Sequence, residues 1–414
     1  MSKILTVAAI GLGGRGWNYT SVMKTEKGKF KVVAGCDLIK EKRENFRKNF
    51  GLTDFDVFES EDEFFKERRA DVLIVATQDG DHVRHAIKGL GLGYDILCEK
   101  PISNNLEDCF RLLEAQKKYG KKIMVCHVLR YAPAFRKAKE ILDAGLIGEL
   151  ITIDDIEQVQ YLHQAHSFVR GNWRKKEETS PMILQKCCHD LDLLQWYANS
   201  GCEEISSLGD LRFFIPKNRP EGSAERCMDC KYVHTCEYSA YEAYITKKFW
   251  GRFAVLNGLD DTDENVIECL KTGPYGRCVF CSDNDVVDNE IVMMRFNNKI
   301  TANLRMTAFT ANGGRILHFY GSRGELELNE EEGALKLKRF GSEPEIIPIS
   351  SLTDAQSGHG GGDTGTVNAF YEYVTGSSAG ETVLEKSIES HLMAFAAEES
   401  RLCGGEMLKI DHKK

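Results

Sequence analysis

Three runs near the start decide the fold: Ile4-Leu5-Thr6-Val7-Ala8-Ala9-Ile10, then Gly11-Leu12-Gly13-Gly14-Arg15-Gly16, then Lys31-Val32-Val33-Ala34-Gly35-Cys36-Asp37. They read as strand, glycine turn opening a helix, and second strand ending in an acid. Gly11 makes the tight turn, Gly13 lets backbone approach a phosphate, and Gly16 lets the helix pack against the strand. Lone glycine turns are common. This one follows a strand, opens a helix, and has Asp37 twenty-one residues after Gly16, which makes it a dinucleotide cradle. Gly11, Leu12, Gly13, Gly14, Arg15 and Gly16 would hold the pyrophosphate, and Asp37 the adenosine ribose. A carboxylate repels a 2′-phosphate, so NAD is favoured; Lys40 and Arg43 close behind keep NADP open.

The 414 residues are enough for two domains. A net charge of −9 argues against nucleic acid as the main partner. No apolar run approaches the roughly 18 residues that span a membrane. Met1-Ser2-Lys3 runs straight into the first strand with no room for a signal peptide, so a cytoplasmic location is expected. In that compartment the 14 cysteines are thiols or metal ligands rather than disulfides.

The alternation continues with Asp71–Thr77, nearly all apolar, as in a strand covered on both faces. Ligands bind at the carboxyl ends of such strands, which makes Thr77 a candidate cofactor contact. His82 is a second; His82 and His85 also fit a capping or surface pair. Tyr94–Cys98 leads into Glu99-Lys100-Pro101, which places Lys100 facing the same crevice. A helix at 105–119 and a strand at 122–126 close a first domain of residues 1–126.

From 127 to 414 the pattern changes. His127-Val128-Leu129-Arg130-Tyr131 precedes a helix from Pro133 to Gly145, and Glu149–Gln160 alternates as a strand exposed on one face. Trp173 and Arg174 form an aromatic–cation pair suited to carbohydrate. Ser180–Trp196 carries a helix. Strands are expected at 208–214, 290–296, 300–309, 315–320, 323–328 and 334–340, and helices at 364–376 and 385–402. The fold class is an α/β Rossmann domain plus an α+β domain with an open-faced, mainly antiparallel sheet.

The Gly11–Gly16 turn, Glu99-Lys100-Pro101, Arg130-Tyr131-x-Pro133 with Ile147-Gly148, and His189-x-x-Asp192-Leu193-x-x-Trp196 occur in order. Together they resemble the glucose-fructose oxidoreductase / inositol dehydrogenase / MocA (Gfo/Idh/MocA) family over nearly the whole chain. The resemblance implies bound nicotinamide cofactor, oxidation of a sugar, polyol or glycoside hydroxyl, and a homodimer or homotetramer built on the open sheet. It places Glu99 and Lys100 beside the cofactor, with Lys100 also at the reacting hydroxyl and His189 as the acid/base. Members with an Asp four residues before the histidine use it in the site; here Gln185 stands there, which can bind a hydroxyl but cannot act as a base. Arg130, Tyr131, Lys186 and Asp192 complete the expected substrate side, with Asp192 one helical turn from His189 and placed to orient it. His359, flanked by glycines, fits a substrate contact or a flexible linker.

An insert at about 216–250 carries Cys227-x2-Cys230-x5-Cys236, which is metal-ligand spacing. Cys278 is the first choice of fourth ligand, ahead of Cys281 and His234. A structural zinc would pin a hydrophilic excursion with little core of its own; buried or free thiols are the other reading. Asp283, Asn284 and Asp285 suit either sugar hydroxyls or a turn.

The function these features support is NAD-dependent oxidation of a carbohydrate hydroxyl. The alternative, also suggested by the family, is an NAD-dependent glycosidase working by transient C3 oxidation and elimination. A non-catalytic NAD-binding regulator ranks third, because Lys100 and His189 are both present.

Overall fold

The computed structural model describes residues 3–352 and 358–412. Among these residues six parallel strands form the first sheet: β1 (Leu5–Ile10), β2 (Phe30–Cys36), β3 (Val57–Phe58), β4 (Val72–Val75), β5 (Asp95–Cys98) and β6 (Ile123–Val125). Their order is β3-β2-β1-β4-β5-β6. The order reverses between β1 and β4, and the crevice outside that junction is where such sheets take a ligand. β4 is apolar at every position and wholly buried, as the covering of both faces requires.

Among the described residues the second sheet has nine strands. They are β7 (Leu150–Gln158), β8 (Cys202–Asp210), β9 (Asn289–Phe296), β10 (Thr301–Thr307), β11 (Gly314–Gly321), β12 (Gly324–Asn329), β13 (Ala334–Arg339), β14 (Glu345–Pro348) and β15 (Leu408–Lys409). The order is β14-β13-β12-β11-β7-β10-β9-β8-β15, antiparallel throughout except for β7 with β10. One face packs on the helices Pro133–Asp143, Cys188–Ala198 and Leu384–Leu402. The other stays open: along β9, Val292 and Met294 are buried while Ile291 and Met293 are exposed.

Several elements differ from expectation. The strand placed at 208–214 is β8, at 202–210; it ends because the Asp288 carboxylate accepts the backbone N–H groups of Arg212 and Phe213 and turns the chain away. The helix over 180–196 is two, Met182–Gln185 and Cys188–Ala198, separated at Lys186-Cys187. β14, β15, a wide-turn helix at Gln164–Arg170 and the helix Asp263–Thr272 had no clear periodic signal.

The excursion between β8 and β9 is not coreless. Ala243, Tyr244, Val255, Leu256, Val266 and Leu270 form a buried apolar cluster, joined by Leu162 from before β8. Part of that core comes from beyond residue 250, where the helix Asp263–Thr272 lies, so the shorter reading missed it.

Candidate functional site

The glycine turn is built as its residues require. Gly11 has φ +85, and a Cβ there would lie 2.3 Å from the Ala76 carbonyl oxygen; a Cβ on Gly16 would lie 1.9 Å from the Gly11 oxygen. Only glycine allows this close approach. Above Gly13 the space is open, with the Lys42 ammonium 3.9 Å from where a Cβ would sit. Open backbone at the start of the helix Gly14–Thr25 fits a pyrophosphate. Asp37 accepts the Leu12 N–H at 2.8 Å and the Ile39 N–H at 2.9 Å. Each oxygen keeps lone-pair capacity for a ribose hydroxyl. Arg43 is turned to the carbonyls of Asp37 and Leu38 and to Glu59.

Arg15 lies in the turn, but its guanidinium faces protein. It binds Glu99 at 2.7 Å and Asp363 at 2.7 Å. Glu99 is buried; it also accepts from Tyr19 Oη and from the Lys100 backbone N–H, both at 2.7 Å. Burial alone would raise the Glu99 carboxyl, and Arg15 and Lys100 hold it below its ordinary range instead. One buried ion network therefore ties the glycine turn, the end of β5 and the helix Gly362–Thr375. Glu99 aims Lys100 through its backbone.

Lys100 is half-buried, and its Nζ donates to the Gln185 backbone carbonyl at 2.8 Å. Gln185 is buried, and with its amide turned so that the nitrogen faces Asp79 it donates to that carboxylate and accepts from Trp173 Nε1 at 2.9 Å. Asp79, in the turn that follows β4, also accepts from Ser180 Oγ at 3.1 Å. Burial raises the Asp79 carboxyl, opposed by His82, Lys100 and the Ser180 bond. The sequence reading missed Asp79, although it lies two residues past Thr77 at the strand end that the same rule singled out. The site thus holds a carboxylate against Gln185, contributed by the first domain.

His189 is buried, 7% exposed, and its Nδ1 has no hydrogen-bond partner among the described residues. Burial, with Lys100, Arg315, His127 and His359 adding positive charge, pushes its imidazole well below the ordinary range. It is a neutral ring able to accept a proton. The His127 ring stands edge-on to it at 6.1 Å and His359 lies 6.1 Å away. His359 has φ +54 and its Nδ1 lies 3.2 Å from Asp363. Lys100, Asp79, Gln185, Trp173, His189 and His359 thus gather at the carboxyl ends of the first sheet.

Other candidates are placed elsewhere. Asp192 does not orient His189: it takes the Arg130 guanidinium in two bonds of 2.7 Å. Tyr131 is buried, with Oη 3.1 Å from Thr382 Oγ1. Lys186 turns to Glu157 at 2.9 Å, part of a buried cluster in which Arg315 also binds Glu157 and Asp190. Arg174 pairs with Asp283 at 2.8 Å, while Asp285 accepts the Lys176 N–H; Asp283 and Asp285 thus bind protein groups. Neither His82 nor His85 is a surface residue. His82 lies between the Pro101 and Thr77 carbonyls, and His85 bridges Thr77 Oγ1 and Glu61. They brace the strand ends.

Cys227, Cys230, Cys236 and Cys278 line one cavity of about 400 Å³ with Arg170 and Tyr238. Among the described residues, no three His, Cys, Asp or Glu side chains are grouped to hold a metal. The Arg170 guanidinium instead donates to Cys227 Sγ at 3.5 Å. The arrangement gives the zinc expectation no ligand set.

Two family models match the chain. "Oxidoreductase family, NAD-binding Rossmann fold" matches residues 5–127, and "Oxidoreductase family, C-terminal alpha/beta domain" matches residues 139–404. A Bacillus subtilis (strain 168) protein named "Putative oxidoreductase YteT" is 26% identical over 317 residues, covering 73% of this chain and 72% of that protein. The 2,7-anhydro-N-acetylneuraminate hydratase of Mediterraneibacter gnavus is 27% identical over 212 residues, covering 50% of this chain and 53% of the hydratase. The fold is similar to scyllo-inositol dehydrogenase from Lactobacillus casei, solved with bound NAD(H) and scyllo-inositol: TM-score 0.69, 14% identity, 99% of each chain covered.

Proposed function

The chain belongs to the Gfo/Idh/MocA family of NAD-binding oxidoreductases, and from that premise we propose that it oxidises a hydroxyl-bearing carbon of a sugar, polyol or glycoside. The observation that carries this reading is that Lys100 Nζ, bonded to the Gln185 carbonyl at 2.8 Å past the end of β5, lies near enough to the buried His189 to help hold its imidazole below the ordinary range. NAD, when bound, supplies the hydride acceptor. The chain's own groups do the rest. Lys100 lies where an ammonium stabilises a developing alkoxide. His189 accepts the hydroxyl proton, its low basicity at rest being offset as the substrate's charge develops. Gln185 and Trp173 offer an amide and a ring to bind hydroxyls, and Asp79 holds Gln185 in place. Asp37 favours NAD over NADP through its charge.

The exposed apolar residues Leu208, Ile291 and Met293 on the open face of the second sheet support a homo-oligomer. A second reading, oxidation followed by elimination of an aglycone and re-reduction, is favoured by the likeness to the hydratase. One experiment separates the two. The protein is incubated with NAD and a panel of polyols, sugars and glycosides while reduced cofactor is followed by absorbance. Dehydrogenation accumulates reduced cofactor in proportion to product. Elimination gives product without it. Turnover that survives both Lys100→Met and His189→Ala overturns the assignment.

A further inference from the structure

Trp250 and Phe253 are large apolar side chains, each about half exposed at 52% and 53%. Phe253 reaches across to the glycine turn: a Cβ on Gly14 would lie 3.0 Å from its ring. Trp250 stacks on Phe253 with centroids 6.2 Å apart and stands edge-on to His163 at 5.0 Å. Five residues on, the Gly258 carbonyl accepts from Asn45 Nδ2 at 3.1 Å. Gly258 has φ +105, and a Cβ there would come within 2.8 Å of the Glu41 side chain. Asn45 and Glu41 belong to the helix Lys40–Phe50, which follows Asp37 directly. On the far side of the crevice, Asn172 Nδ2 of the second domain donates to Gln78 Oε1 at 3.0 Å.

The segment that makes these contacts is held firmly from behind. Arg252 donates to the Tyr244 carbonyl at 2.7 Å and to Asp263 at 2.8 Å. Val255 and Leu256 are buried in the excursion's own core. An ordered strap thus runs from the second domain over the turn and onto the helix behind Asp37.

We propose that Trp250–Gly258 is a clasp over the bound dinucleotide, with Phe253 covering the pyrophosphate turn and the Asn45–Gly258 bond latching the ribose side. The proposal rests on the dinucleotide reading of the turn. A cofactor under the clasp leaves only when the strap lifts, so its release is slowed.

The test uses the full-length protein loaded with NAD. Bound NAD is chased with excess fluorescent etheno-NAD, and its release is timed in the wild type, Phe253→Ala and Asn45→Ala, with circular dichroism and melting curves confirming that each variant is folded. Slow release from the wild type, roughly tenfold faster release from Phe253→Ala and a smaller acceleration for Asn45→Ala are expected, in line with most affinity changes residing in the off-rate. Release that is equally fast in all three overturns the clasp while leaving the dinucleotide site intact. A wild type that binds no NAD by calorimetry overturns both.

Discussion

Asp192→Asn tests the placement of the residue that the motif pattern set beside the reacting histidine. Asp192 is 1% exposed and Arg130 5% exposed, joined by Nε–Oδ2 and Nη2–Oδ1 bonds of 2.7 Å each. Hydrogen bonds to a charged group contribute about 1.5–3 kcal/mol each. Removing one partner of a buried ion pair costs about 3–5 kcal/mol, because the other charge is left desolvated and alone. The amide keeps one acceptor oxygen, so a loss of about 3 kcal/mol is expected, a large share of the roughly 5–15 kcal/mol that stabilises a domain. Urea unfolding followed by tryptophan fluorescence reads it directly, since the Arg130 guanidinium lies 5.7 Å from the Trp196 ring. The double variant Arg130→Met with Asp192→Leu should recover much of the loss, because an apolar pair strands no charge. The pH dependence of turnover should keep its shape, since Asp192 makes no bond to His189. A cost under about 1 kcal/mol would refute the buried pair. A shifted pH profile at unchanged stability would refute the separation of Asp192 from His189.

Other outcomes follow from the same geometry. Gln185→Asp sets a second carboxylate against Asp79, so one of the two must hold a proton; turnover of this variant should fall as pH rises through neutrality, measured against a wild type that does not share the decline. Gly16→Ala drives a Cβ to 1.9 Å from the Gly11 oxygen and should abolish NAD binding by calorimetry. Glu290 accepts from Ser207 Oγ at 2.8 Å, and burial pushes its carboxyl up to about 7, with Glu398 raising and Arg401 lowering it. Between about 4.5 and about 7 the folded group keeps a proton that the unfolded one has lost, so stability falls as pH rises through that window, by on the order of 3 kcal/mol. Glu290→Gln should flatten that part of the stability–pH curve, and an unchanged curve would exclude the buried carboxyl as its cause.

Much of the fold could be read from the chain because burial writes a regular pattern. β4 is a continuous apolar run, and β9 alternates buried and exposed residues. The glycine turn was legible because Gly11 and Gly16 sit where a side chain would collide with backbone. Elements set by single polar contacts were harder: the end of β8 depends on Asp288, far off in sequence. So did the excursion, whose core combines Leu162 with Val266 and Leu270 from either side of the cysteine cluster. In the site, Lys100 and His189 were legible from their motifs. Asp79 was not, because its role arises only when the second domain's Gln185 and Ser180 fold against it. Asp192 misled for the same reason: helical spacing brings it near His189, but a buried guanidinium from Arg130 outcompetes a neutral ring for a carboxylate.

In the proposed reaction, hydride leaves a carbinol carbon in the crevice between Lys100, His189 and the glycine turn. The most direct measurement is a single-turnover reaction of the NAD-loaded protein with a polyol or glycoside deuterated at its carbinol carbons, quenched and analysed by mass spectrometry for deuterium in the nicotinamide. Deuterium is expected in the cofactor with the wild type and is lost with Lys100→Met, whether or not reduced cofactor accumulates in the steady state. Product formed from the deuterated substrate with none of its deuterium reaching the nicotinamide would contradict it.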